Sequence, residues 1–196
     1  MSTTTESGSE RHALGVRMKR KEDPRFIQGG GRYLDDISLP GMLHLAIVHG
    51  PYPHATIVKI DKTAALASPG VVAVLTGEDL AAHGLAWIPT FHGYDKQMVL
   101  AVGKVLYQYQ EVAGVIATSR EAAFDGAELV DVQYAPLDPV VDPFEARKDQ
   151  IILRDDRENK TNHIYHWEVG KRAETDAALA ASDVRIKERV YFQRCH

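Results

Sequence analysis

The chain has 196 residues, enough for one ordinary domain or one domain with an irregular arm. Its hydrophobic fraction of 44% and charged fraction of 26% are those of a soluble globular protein. The net charge is −4 and both signs of charge are mixed along the chain, which argues against a nucleic-acid binder, since such a protein would carry a basic stripe. A single cysteine fits a reducing compartment, and neither a secretory signal nor a membrane-spanning apolar run is present, so the sequence predicts a soluble, cytoplasmic protein.

Strands and short helices alternate along the chain after residues 1–14, a polar tail with the composition of a disordered segment. Apolar or alternating segments predict strands at residues 43–49, 55–60, 71–75, 112–117, 130–134, 162–169 and 184–192. Cap residues and helical periodicity predict helices at residues 62–67, 76–80, 120–129 and 173–181. Ser119 is the predicted cap of the helix at 120–129. Two of these helices are too short for regular crossovers, so the pattern predicts an α+β fold with a mixed sheet and short helices.

Two parts of the chain show no clear period. Prolines predict an extended segment from residue 136, and residues 151–160 are expected to be irregular. Residues 84–103 include an aromatic loop, residues 87–94, which carries Trp87, Phe91, His92 and Tyr94. Long irregular stretches are often functional, and aromatic side chains are enriched at interface centres. The aromatic loop is therefore a candidate docking surface, with packing into the domain's own core as the alternative.

Three consecutive glycines, Gly29 to Gly31, suggest a phosphate-binding loop, which requires a helix to begin directly after it. The following residues, 32–36, show no helical period and include Asp35 and Asp36, whose carboxylates would repel a phosphate. A tight turn is therefore favoured over a phosphate site.

Pairs of potential metal ligands or nucleophiles occur at three places: His163 and His166, His44 and His49, and Cys195 and His196. Each pair has an odd offset, which sends the two side chains to opposite faces of a strand. Cys195 is therefore interpreted as a small buried hydrophobe rather than a nucleophile. The carboxylate pairs Asp35–Asp36 and Asp155–Asp156 lie in predicted turns, and the basic cluster Arg17, Lys19, Arg20 and Lys21 is interpreted as a solvated arm. No catalytic, cofactor-binding or metal-binding residue is predicted.

An ordered series of short motifs covers most of the chain: GRYLDDI (31–37), LPGML (39–43), HATI (54–57), PGV (69–71), VLT (74–76), QEVA (110–113) and VQYAPL (132–137). In this order they resemble the opening of the large subunit of the molybdenum hydroxylases, a family that includes xanthine dehydrogenase, aldehyde oxidase and aerobic carbon monoxide dehydrogenase. Further stretches resemble the carbon monoxide dehydrogenase branch, namely MKRKED (18–23), IPT (88–90), KVLYQ (104–108) and NHIYHWEVG (162–170).

The resemblance implies an α/β-hammerhead domain at residues 15–135, followed by a linker, strand and helix at 136–196 that lead toward molybdenum-cofactor domains. It implies a complex that oxidises carbon monoxide with water to carbon dioxide at a molybdenum–copper site carrying molybdopterin cytosine dinucleotide. Electrons would pass through iron–sulfur clusters in a small subunit to FAD in a medium subunit. Together with the remaining domains of the large subunit, these two subunits are the implied partners.

The family's copper-binding cysteine lies in a loop of the type AYRCSFR, which does not occur in this sequence, and Cys195 follows Gln193 and Arg194 instead. No catalytic residue is therefore carried over, and the chain is expected to be an inactive scaffolding domain that binds no cofactor by itself. It is expected to be a fragment, a truncated product or one piece of a split subunit. Two alternatives stay open: the same domain of an aldehyde- or purine-oxidising enzyme, and a stand-alone assembly module without a redox role.

Overall fold

The computed structural model describes residues 18–192, so the predicted tail at 1–14, Arg17, Cys195 and His196 lie outside the described residues. The strands are β1 (His44–His49), β2 (Ala55–Asp61), β3 (Val71–Thr76), β4 (Trp87–Pro89), β5 (Lys96–Met98), β6 (Lys104–Val105), β7 (Glu111–Ala117) and β8 (Asp131–Pro136). The helices are α1 (Asp23–Ile27), α2 (Thr63–Ala67), α3 (Gly77–Ala82), α4 (Arg120–Glu128), α5 (Pro143–Ala146) and α6 (Arg172–Ala180), with a 3-10 helix at Leu34–Asp36.

The strands form three small sheets, ordered β1-β7-β3, β6-β2-β8 and β4-β5. β7 lies in the centre of the first sheet because its residues after Glu111 are uncharged and mostly buried, and Val115 faces Ala46 on one side and Val74 on the other. The predicted α+β fold with short helices is confirmed. Every strand pair within residues 18–192 is antiparallel, so three antiparallel sheets stand where one mixed sheet was expected.

Helix α4 covers β1 and β7, and its close approach depends on a glycine. Gly126 is buried, and a Cβ atom added there would lie 2.7 Å from Val71 Cγ2 and 3.0 Å from Val115 Cγ1. The helix begins at its predicted cap, where Ser119 Oγ accepts a hydrogen bond of 3.1 Å from the Ala122 amide. The predicted strand–helix–strand unit is thus present, with β7 and β8 in different sheets.

The two three-stranded sheets share one apolar core. Ile60 of β2 and Val132 of β8 pack against the buried cluster around Val115 and also against the cluster around Val105. These shared contacts join the sheets into a single body. Within the described residues, no helix is long and apolar enough to cross a membrane.

Residues after β8 depart most from the predicted elements. Helix α6 is confirmed, and a short helix, α5, interrupts the expected extended segment because Asp142 Oδ1 accepts a 2.6 Å hydrogen bond from the Phe144 amide and Pro143 fits the first helical turn. The predicted strands at 162–169 and 184–192 are wrong for the described residues, where neither segment has a ladder partner. An alternating pattern forms a strand only where another strand supplies hydrogen bonds.

Candidate interaction surface

The aromatic loop forms a hairpin, which the sequence pattern did not predict. Strands β4 and β5 pair antiparallel, and the turn between them is closed at Thr90 and Asp95. The Thr90 amide donates to the Asp95 carbonyl at 2.8 Å, and the Asp95 amide donates to Thr90 Oγ1 at 3.2 Å. This turn leaves Phe91 at the tip 98% exposed. The alternative, in which the loop fills the domain's own core, does not hold for Phe91.

The hairpin tip meets a second segment through stacked aromatic rings. The rings of Tyr94 and Tyr165 are 4.4 Å apart between centroids and inclined by 17°. His92 lies 6.1 Å from Tyr94, and Trp167 completes an open cleft of about 360 Å³. We call these four residues and Phe91 the aromatic patch. It unites residues from the loop at 87–94 with residues from the segment at 162–169, two stretches that the sequence singled out separately.

An ion cluster next to the patch holds the hairpin against the segment at 154–157. The side chains of Asp95, Arg154 and Arg157 are only 16%, 14% and 14% exposed. Both guanidinium groups bind Asp95 Oδ2, from Arg154 Nη1 at 3.4 Å and from Arg157 Nη2. Arg154 Nη1 also donates to the Lys96 carbonyl at 2.7 Å, and its guanidinium carbon lies 4.7 Å from the centre of the Trp87 ring.

Arg154 also binds a neighbour in the irregular segment. Its Nε and Nη2 atoms donate to the two carboxylate oxygens of Asp156 at 2.7 and 2.8 Å, a bidentate geometry that is among the stronger ion pairs. This hydrogen bonding lowers the pKa of Asp156 from its ordinary value. Asp155 pairs at 2.6 Å with Lys104 of β6, which lowers the pKa of Asp155 as well. Adjacent carboxylates in a predicted turn therefore form ion pairs with different partners.

Asn162 orders the backbone that leads to Tyr165. Its side-chain oxygen accepts from the Leu153 amide at 3.0 Å, and its side-chain nitrogen donates to the carbonyls of Ala146 and Ile151 at 3.1 and 2.7 Å. The Asn162 amide donates to Asp149 Oδ1 at 2.7 Å, and this bond lowers the pKa of Asp149. The segment expected to be irregular has no helix or strand, yet side-chain hydrogen bonds fix its path.

The residues beneath the patch were missed by the sequence analysis. Asp95 is separated from Arg154 by 59 positions and from Arg157 by 62 positions, and no local pattern connects them. Asn162 could have been noticed only as a polar residue before the aromatic motif at 163–167. Its role depends on three backbone groups that come together in the folded chain.

The glycine run forms a turn, as favoured. Gly29 has a φ of +72°, and the Gly30 amide donates to the Arg25 carbonyl at 2.8 Å, which closes α1. The element that follows is a single 3-10 turn, whose Asp36 accepts a 2.8 Å hydrogen bond from the Tyr33 amide. In the described part of the chain, the glycines are therefore followed by a 3-10 turn and not by an α-helix whose N-terminus could hold a phosphate.

The described histidines of the predicted pairs contact other residues. His44 and His49 lie at opposite ends of β1, and the His49 ring lies 5.0 Å from the ring of Tyr109. His166 is exposed and lies 3.5 Å from Glu168, and the His163 amide donates to Thr161 Oγ1 at 3.1 Å. Among residues 18–192, no group of three or more His, Cys, Asp or Glu side chains is placed to hold a metal ion.

The fold and the sequence identify the class of protein. The sequence profile described as "Aldehyde oxidase and xanthine dehydrogenase, a/b hammerhead domain" matches residues 28–138, and the chain belongs to this family. The chain is 49% identical to the carbon monoxide dehydrogenase large chain of Hydrogenophaga pseudoflava over an alignment of 187 positions, which covers 90% of this chain and 23% of the relative. It is 44% identical to the large chain of Afipia carboxidovorans, over 99% of this chain and 25% of the relative.

A solved structure gives the same result in three dimensions. The crystal structure of the Cu,Mo-CO dehydrogenase in its carbon monoxide reduced state superposes with a TM-score of 0.75 and 46% sequence identity. The superposition covers 87% of this chain and 23% of that chain. The chain therefore spans about a quarter of the length of the curated relatives it matches.

Proposed function

We propose that this chain is the N-terminal scaffolding domain of a carbon monoxide dehydrogenase large subunit. The observation that carries the proposal is 44–49% identity to two carbon monoxide dehydrogenase large chains over 90–99% of this chain. That extent takes in the aromatic segment at 162–169, which lies beyond the region matched by the general family profile. We also propose a cytoplasmic location.

The whole complex would convert carbon monoxide and water into carbon dioxide, two protons and two electrons. The chemistry would take place at a molybdenum–copper centre with molybdopterin cytosine dinucleotide, and iron–sulfur clusters in a small subunit would deliver the electrons to FAD in a medium subunit. The described residues of this chain do not fit these groups. They offer no cluster of metal-ligating side chains, and no α-helix begins directly after the glycine turn at 29–31 to bind the phosphates of a dinucleotide. We therefore assign no catalytic step to this chain.

The role left to the chain is to hold other parts of the complex, and the aromatic patch is the proposed contact. The Tyr94–Tyr165 stack fixes two of its rings before binding, and the ion cluster at Asp95 fixes the hairpin that carries Phe91. A fixed aromatic side chain loses little conformational entropy when a partner covers it, which favours a binding hot spot. Phe91 and Trp167 are more exposed than Tyr94 and Tyr165, so a partner would bury more of these two rings, and they should contribute most to binding.

The activity is tested on the complex itself. This chain, expressed in the source cells with an affinity tag at Met1, should be purified together with its partner subunits. The recovered complex should reduce an artificial electron acceptor when carbon monoxide is the only donor, and should leave aldehydes, purines and N-heterocycles unchanged. Oxidation of an aldehyde or purine without carbon monoxide activity would favour the alternative enzyme of the same family. Recovery without any redox subunit would favour the assembly module.

The docking role is tested by Phe91→Ala together with Trp167→Ala. Loss of both rings should reduce the recovery of partner subunits about 30-fold, the effect of a hot spot worth ~2 kcal/mol. Leu66→Ala on helix α2 is the matched control, because Leu66 is also an exposed apolar side chain but lies outside the patch. Unchanged recovery for the double variant would place the partner contact elsewhere.

A further inference from the structure

The cleft of the aromatic patch is lined by aromatic side chains alone. His92, Tyr94, Tyr165 and Trp167 bound its volume of about 360 Å³, and among the described residues no aliphatic side chain, lysine or arginine contributes to the lining. Ligand clefts commonly have volumes of about 300–1,000 Å³, so this one has room for a side chain. A lining made only of rings favours an occupant that interacts with ring faces.

The ring faces of the cleft attract positive charge. The π-system of an aromatic ring is negative on its face, and a cation placed over that face is stabilised, most strongly by tryptophan. Tyr94 and Tyr165 form a nearly parallel stack, and about half of each side chain is open to solvent. Trp167 is more exposed still. A cation that enters the cleft would therefore lie against more than one ring.

The same hairpin already binds a cation in this way. The Arg154 guanidinium carbon lies 4.7 Å from the centre of the Trp87 ring, at the base of the hairpin. The other arginine–ring contacts of the described residues involve Phe26 and Phe144, so the rings of the cleft are not used by an arginine of this chain. Glu168 directly follows Trp167, and its half-exposed carboxylate, 3.5 Å from His166, adds negative charge next to the cleft.

The stacked tyrosines favour a guanidinium over an ammonium group. A guanidinium is planar and weakly hydrated and stacks on aromatic faces, whereas the ammonium of lysine is compact and strongly hydrated. A planar cation can therefore continue the Tyr94–Tyr165 stack as a further layer. Contacts of this kind at an exposed site are individually weak, so tight binding requires the polypeptide that carries the cation to make further contacts.

We propose that the cleft binds the guanidinium group of an arginine in the polypeptide that docks on the aromatic patch. This occupant rests on the docking role described under the proposed function. Phe91, at the rim of the cleft, would contact the same polypeptide through apolar surface. The arginine supplies selectivity, because a neutral side chain of the same shape gains nothing from the ring faces.

Titration of the full 196-residue chain with N-acetylarginine amide tests the occupant. Trp87→Phe keeps a ring beside Arg154 and leaves Trp167 as the single tryptophan, so its fluorescence reports on the cleft. At about pH 8, where histidine is ordinarily neutral, N-acetylarginine amide should bind about tenfold more tightly than N-acetylcitrulline amide, its uncharged isostere. N-acetyllysine amide should bind more weakly than the arginine compound. Equal affinity for arginine and citrulline, or tighter binding of lysine, would overturn the proposal.

Two further variants in the Trp87→Phe chain locate the binding site. Tyr165→Leu removes one ring of the stack and should abolish the preference for arginine over citrulline. Tyr191→Leu is the matched control, because Tyr191 is also an exposed tyrosine but does not line the cleft. It should keep the preference. A preference that survives Tyr165→Leu would place the arginine elsewhere and overturn the assignment to this cleft.

Recovery of partner subunits with the tagged chain tests whether a partner supplies the arginine. Trp167→Leu keeps an apolar side chain but has no ring face, and should lower recovery about tenfold, whereas Trp167→Phe should lower it less than about threefold. Equal recovery for the two variants, reduced or not, would overturn the proposal. A dimer of the isolated chain that N-acetylarginine amide dissociates would assign the cleft to a second copy and overturn it as well. Neither measurement requires carbon monoxide oxidation, so the expected results in a complex without that activity would reject only the proposed activity.

Discussion

Asp95 forms ion pairs with both Arg154 and Arg157 at the tip of the β4–β5 hairpin, and all three side chains are largely buried there. Asp95→Asn removes the negative charge and leaves Arg157 without its carboxylate. We expect the free energy of unfolding to fall by about 2 kcal/mol, less than for a fully buried pair because some solvent reaches the site. Urea unfolding followed by tryptophan fluorescence measures this loss, since Trp87 and Trp167 are the two tryptophans of the chain and both lie in this region.

Asp156→Asn is the matched control for that measurement. Asp156 also binds Arg154, but its side chain is 43% exposed, so water can replace much of the lost contact. The control should cost less than half as much as Asp95→Asn. An equal loss for the two variants would contradict the special importance of the buried carboxylate.

Acid should loosen the segment at 149–162 before the core unfolds. The pKa of Asp149 is lowered by the Asn162 amide, that of Asp155 by Lys104 and that of Asp156 by Arg154. A carboxyl group with a lowered pKa in the folded state stabilises that state above its ordinary pKa of 3.8, and the contribution is lost as the pH falls toward the folded value. Tryptophan emission should therefore change below about pH 4, while far-ultraviolet circular dichroism persists. A change centred near pH 6 would point to histidine instead.

The role of a residue could be predicted from the sequence only where its hydrogen-bond or ion-pair partner is close to it in the sequence. Ser119 could be predicted as a helix cap because the amide that donates a hydrogen bond to its Oγ belongs to Ala122, three positions along the chain. Asp95 and Arg154 are 59 positions apart, and each is an ordinary charged residue in an irregular stretch. No rule of local spacing brings such residues together, so the ion cluster emerged only from the structure.

At the scale of elements, α4 shows that packing can outweigh helix propensity. Gly126→Ala should gain about 1 kcal/mol of helix propensity. The new methyl group, however, would lie 2.7 Å from Val71 Cγ2 and 3.0 Å from Val115 Cγ1, and overpacking of this kind costs about 1–3 kcal/mol. We expect a net destabilisation of about 1 kcal/mol, measured by thermal unfolding. Asp125→Ala, at the adjacent exposed position, should be neutral or stabilising, and a stabilising Gly126→Ala would contradict the close packing.

The length of an element decided whether its pattern could be recognised. Strand β7 and helix α4 have seven and nine residues, so their apolar patterns repeat often enough to predict both. Strands β4, β5 and β6 have three, three and two residues, which is too short for any period to appear. The prediction for the segment at 184–192 fails for the opposite reason, because its alternating pattern is clear but no described strand pairs with it.

At the scale of the whole molecule, the family could be predicted from the order of motifs rather than from chemistry. Fragments such as GRYLDDI (31–37) and VQYAPL (132–137) mark turns and strands of the hammerhead domain, and the family profile at 28–138 confirms the resemblance. Composition and periodicity alone lead only to an α+β domain with an aromatic loop. Function lies in sites rather than in the fold, so the activity had to be proposed from relatives four times as long.

The absence of a ligand set in the described residues leads to a prediction for the isolated chain. The purified 196-residue protein should contain no stoichiometric molybdenum, copper or flavin, because a bound metal needs several converging donors and residues 18–192 provide no such group. Elemental analysis by mass spectrometry and visible absorption measure this directly, with the tagged complex as the positive control. Under the proposed function, the complex should carry all three, since the remaining domains and subunits would supply their ligands. Stoichiometric molybdenum in the isolated chain would show that this polypeptide holds part of the cofactor site.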